Sequence, residues 1–82
     1  MSRGLEYKVG PIRIIKHRFR MDKMFLLVEW AQDIPPEWET QDWLTANHLS
    51  SFKAALAKYR FDEPRKFTSL IQYPGILDVY RY

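Results

Sequence analysis

The first half of the chain alternates apolar and polar positions in the manner of β-strands. Tyr7, Val9, Ile12, Ile14 and Ile15 are interleaved with lysine, arginine and histidine, and β-branched residues dominate. Gly10-Pro11 interrupts this stretch, so a bulge or kink is expected there, with a long strand continuing over Ile12–Arg20. Met21-Asp22-Lys23 reads as a short polar turn, after which Met24–Trp30 returns as the second strand of an antiparallel hairpin. Side chains alternate along a strand, which puts Leu26, Val28 and Trp30 on one face and Phe25, Leu27 and Glu29 on the other. Asp33-Ile34-Pro35-Pro36 ends that strand, and Trp38-Glu39-Thr40 is long enough for a third, short one.

The period then changes. Trp43–Asn47 leads into a helix of about 12–14 residues, whose apolar positions Leu49, Phe52, Leu56 and Tyr59 form one stripe. Thr45 or Asn47 is the expected N-cap, and Ala54, Ala55 and Ala57 add helix propensity. Lys58 and Arg60 complement the helix dipole in the last turn, and Asp62-Glu63-Pro64 breaks the helix. The buried face of a hairpin and an apolar helix stripe each need a cover, and each can supply it to the other. The expected architecture is therefore α+β, a three-stranded antiparallel curved sheet packed against a C-terminal helix. The module is placed at residues 5–61. The extension 62–82 carries Phe67, Leu70, Ile71, Tyr73, Ile76, Leu77, Val79, Tyr80 and Tyr82, too apolar a set for a solvated linker. It is expected to pack back on the domain or to lie at an interface with a partner or a second copy.

Composition supports a small, well-packed domain. The chain has 82 residues, of which 46% are hydrophobic and 16% aromatic, with three Trp, five Tyr and five Phe to fill a core. It has no cysteine, so neither a disulfide framework nor a thiolate metal site is available. No apolar run approaches the ~20 residues of a membrane span, and no signal-peptide pattern opens the chain. The expectation is a soluble intracellular protein, or a fragment of one, that does not engage a membrane. Net charge is +3, and its distribution matters more than its size. Lys8, Arg13, Lys16, His17, Arg18, Arg20 and Lys23 crowd the first quarter, whereas Glu29, Asp33, Glu37, Glu39 and Asp42 follow.

Candidate chemistry is sparse. His17 and His48 lie far apart in sequence with no third ligand nearby, which argues against a metal. Ser50-Ser51 reads as a helix start, and the glycines share no phosphate-binding motif. Glu37, Glu39 and Asp42 border Pro35-Pro36 without the makings of a substrate pocket. A non-catalytic protein without a cofactor is expected.

The order of elements, with a particular residue pattern, resembles the chromodomain family from Leu5 to Arg60. The pattern comprises Glu6-Tyr7-Lys8-Val9, then Ile14-Ile15-Lys16-His17-Arg18, then an apolar strand ending in Trp30, then Trp38-Glu39, Leu44, Leu49 and Phe52. Spacing from Ile14 to Trp30 and from Trp38 to Phe52 matches the family without a gap. Two departures flank the ligand groove: extra residues at Gly10-Pro11-Ile12 and a shortened loop between Trp30 and Trp38.

The resemblance implies a nuclear, chromatin-targeting module that binds an extended histone H3 tail peptide by strand addition, beside Tyr7 and Val9. In the family, a methylated lysine is held by three aromatics through cation–π attraction. Tyr7 and Trp30 match two of these positions, while the third is Asp33, whose carboxylate would suit a lysine retaining an N–H. Glu39 stands at a peptide-facing acidic position, and Trp43 would crowd the groove where readers carry a small residue. Two other readings stay open. The basic hairpin residues Lys16, His17, Arg18, Arg20 and Lys23 could contact DNA or RNA, as in a chromodomain at the end of a retroelement integrase. The helix and the apolar extension could instead make a self-complementary surface, as in chromo shadow relatives.

Overall fold

A computed structural model describes residues 10–31 and 33–73. It is an α+β fold in which β1 (Pro11–Arg20), β2 (Lys23–Trp30) and β3 (Glu37–Thr40) form one antiparallel sheet in that order. Three helices follow, α1 (Gln41–Asn47), α2 (Leu49–Asp62) and α3 (Pro64–Leu70), where the sequence suggested one helix before residue 62. The hairpin turn is tight: Arg20 pairs with Lys23, and Met21 and Asp22 take φ values of 51° and 62°. Two successive positive φ values define the type I′ geometry, whose twist matches that of paired strands.

β1 explains why its apolar pattern is imperfect. The ladder with β2 shifts register between Pro11 and Arg13 and again between Ile14 and Lys16, so Ile12 and Ile15 are inserted residues. Each bulge adds a residue and bends the strand. Inward positions therefore recur every three residues, with Pro11 and Ile14 buried and His17 half-buried, instead of every two. β2 has no such interruption; Met24, Leu26, Val28 and Trp30 are all buried.

The helices cover that inward face. α2 packs mainly against β1, and α3 lies on α2. The core joins Ile14, Met24, Leu26, Val28 and Trp30 of the sheet to Leu44 of α1, Phe52, Ala55, Leu56 and Tyr59 of α2, and Phe67 and Leu70 of α3. Of the expected helix stripe, Phe52, Leu56 and Tyr59 are buried, but Leu49 is 43% exposed and Ala55 at 1% takes a core place. The caps also differ from expectation. Thr40, the last residue of β3, caps α1 by accepting a hydrogen bond from the Trp43 backbone N–H at 3.1 Å. Asn47 instead donates from its side chain to the Trp43 carbonyl at 2.9 Å, and α2 starts at His48 without a side-chain cap. Glu63 then interrupts the helical run and Pro64 opens α3, a position where its missing N–H costs nothing.

Candidate nucleic-acid interface

The sheet has a second face. On it, β1 carries Lys16, Arg18 and Arg20, β2 carries Lys23, Phe25, Leu27 and Glu29, and β3 carries Trp38 and Thr40. The register sets Lys16 opposite Leu27 and Arg18 opposite Phe25, and it sets Trp38 opposite Leu27 from the other side. Trp38 thus reaches across the central strand toward the cations of β1. The Lys16 Nζ lies 5.8 Å from the centre of its ring and the Arg18 Cζ 5.2 Å, both within cation–π range. Even so held, Trp38 remains 38% exposed.

Beside it lies a depression of about 230 Å³ lined by Arg18, Arg20, Met21, Phe25 and Trp38. This is smaller than the ~300–1,000 Å³ usual for a small-molecule site, and its walls are cationic, aromatic and thioether groups. Lys16, Arg18 and Arg20 have no carboxylate at ion-pair distance among the described residues. Glu29 on the same face is taken up by Arg13, whose Nε donates to it at 2.8 Å. Lys23 faces Asp42 at 3.8 Å at the end of the sheet. The arrangement leaves a row of three cations beside an exposed indole.

His17 does not join that row. It points to the helix side, where its Nδ1 is 2.9 Å from the Tyr59 hydroxyl and its ring meets those of Tyr59 and Tyr73. Burial holds its pKa below the ordinary histidine value, and the charge of Lys66 lowers it further. Burial pushes Tyr59 up to about 12, with Glu63 contributing. Tyr59 therefore stays protonated, and its hydroxyl shares a hydrogen bond with His17 Nδ1 in which the imidazole tautomer sets the donor.

Of the residues expected to form a peptide groove, Trp30, Asp33, Glu39 and Trp43 fall among the described residues. Tyr7 and Val9 lie outside the described residues. Trp30 is 2% exposed and belongs to the core, its ring edge-on to Trp43 at 6.2 Å and to His48 at 5.6 Å. Trp43 is half-buried and packs against His48 at 5.3 Å. Asp33 is exposed on the loop, whereas Glu39 at 5% exposure turns to the helix side, opposite Leu26. Trp38, Phe25 and Met21 were missed as site residues from sequence. Finding them requires the register of all three strands, and the two bulges in β1 hide it.

Among the described residues, no group of three or more His, Asp or Glu could hold a metal ion, and no helix is long and apolar enough to cross a membrane. Comparison with family models, curated proteins and solved structures finds no match to this chain.

Proposed function

We propose that this chain is a non-catalytic, chromodomain-type interaction module that binds nucleic acid through the sheet face opposite its helices. The supporting observation is the row of Lys16, Arg18 and Arg20 with Trp38 set among them, on the one sheet face that no described helix covers. Cations on alternate residues of one strand stand roughly 6.6–6.8 Å apart along it, so a phosphate backbone can be followed stepwise. The histone-tail reading shares the fold but depends on Tyr7 and Val9, and on Trp30, a core residue. It makes no use of the exposed face. A nuclear, chromatin-bound location belongs to either reading.

The test is fluorescence anisotropy with labelled oligonucleotides across a salt series. Each neutralised phosphate contributes a slope of roughly −0.7 to −0.9 in log affinity against log salt, so three cations give about −2 to −3. K16E/R18E should weaken binding at least tenfold and flatten the slope. A salt-independent affinity, or one unchanged in that double variant, would remove the proposal. Titration with histone H3 tail peptides, methylated and unmodified, run in parallel, would favour the peptide reading if only those bind.

A further inference from the structure

Resting on that nucleic-acid reading, we infer that the face is built for single strands, with an unpaired base stacking on Trp38 beside the depression bounded by Arg18, Arg20, Met21 and Phe25. Charge alone would not require this. A duplex offers phosphates to a protein surface and keeps the faces of its bases stacked inside, so an exposed indole among cations is of little use to it. A single strand presents both, and aromatic platforms combined with cations suit it whatever its sequence.

Three features of the face agree with this. Trp38 is 38% exposed with the Lys16 ammonium and the Arg18 guanidinium over its ring, so a stacking base takes the place of a cation on the indole and leaves that cation to a phosphate. Phe25 is half-buried in the floor, and Met21 is 85% exposed at the rim, supplying apolar contact to a base edge. Arg20 lines the same depression, two residues beyond Arg18, so a backbone running along β1 meets a cation on either side of the stacked base. An acidic peptide would use the cations but need bring no ring to stack on the indole.

The chain reports on this directly. Trp30 is buried and Trp43 is half-buried against Trp30 and His48, which makes Trp38 the most exposed of the three indoles, and W38L identifies its share of any quenching. The full chain is titrated with a short oligothymidylate, a duplex of equal length and polyglutamate, following both anisotropy and tryptophan fluorescence. The single strand should bind at least tenfold more tightly than the duplex and quench emission. W38L should lose about 5- to 150-fold of single-strand affinity at unchanged salt slope, matching one lost stacking contact, while W38F keeps most of the affinity and the fold. Equal single-strand and duplex affinity without quenching, both lost in K16E/R18E, would overturn the single-strand inference and leave the nucleic-acid function standing. Failure of both oligonucleotides to bind would overturn both. Polyglutamate binding as tightly as oligothymidylate would reduce the face to a general anion surface and overturn the inference as well.

Discussion

At the scale of single residues, Gly10 is under the clearest constraint. Its φ of +127° is one that side-chain-bearing residues rarely adopt, and an added Cβ would lie 2.6 Å from Ser51 Oγ and 2.9 Å from Ser51 Cβ. The glycine thus lets the chain enter β1 against the start of α2. Backbone strain and overlap add, so Gly10→Ala should lower stability by about 2–4 kcal/mol in urea denaturation. S51G in the same background should recover part of that loss beyond its own effect; strict additivity of the two changes would show that the overlap is relieved elsewhere. Trp30 makes the opposite point. From sequence it matched an aromatic of a ligand cage, whereas at 2% exposure it is among the largest core side chains. Trp30→Ala should therefore cost about 3–5 kcal/mol and collapse near-ultraviolet dichroism. A variant that kept its stability would return Trp30 to a surface role.

Among the elements, the hairpin carries a local conflict. Met21 and Asp22 both occupy left-handed conformations, which suit Asn and Gly far better than Met. M21N/D22G should raise stability by about 1 kcal/mol with the sheet unchanged, seen as a higher urea midpoint at constant slope. An unchanged or lower midpoint would mean that Met21 contributes packing that outweighs its backbone strain. The same hairpin shows what sequence could and could not disclose. β2 was legible because Leu26, Val28 and Trp30 alternate strictly and are all buried. β3 was legible from its proline boundary. In β1, the bulges at Ile12 and Ile15 replace a period of two by a period of three, so which of Lys16, His17 and Arg18 faces out could not be read from alternation alone. α1 was hidden for a different reason: it is a seven-residue helix, too short to show a stripe, and its cap is the last residue of a strand. The cationic half of the candidate interface was thus visible as composition, while Trp38 entered only once three strands were in register.

For the molecule as a whole, the sheet divides two tasks: one face holds the helices, and the other holds the cations. His17 links them, since it lies on β1 between Lys16 and Arg18 yet bonds Tyr59, which also packs edge-on to Phe67 of α3. The groups facing it are the hydroxyl of Tyr59, the ring of Tyr73 and the charge of Lys66, with Glu63 acting on Tyr59. Burial first, and Lys66 second, depress the folded-state pKa of His17 below the ordinary 6.5. Between that depressed value and 6.5, the unfolded chain binds more protons than the native one, so stability rises with pH in this window and falls as the solution is acidified. Solvated carboxylates titrate near pH 4, so the comparison is confined to about pH 5–7.5, and the difference between wild type and H17N isolates this imidazole. The urea midpoint of the wild type should decline as pH falls across that range, and the decline should be shallower in H17N. An amide at this position can accept the Tyr59 hydroxyl but cannot take up a proton. Identical pH profiles in the two proteins would assign the acid sensitivity to another group. If His17 is responsible, acidification should loosen the joint between β1, α2 and α3 first. Oligonucleotide affinity at pH 5.5 should then weaken in the wild type more than in H17N, because the cation row is carried by the strand that this joint holds in place.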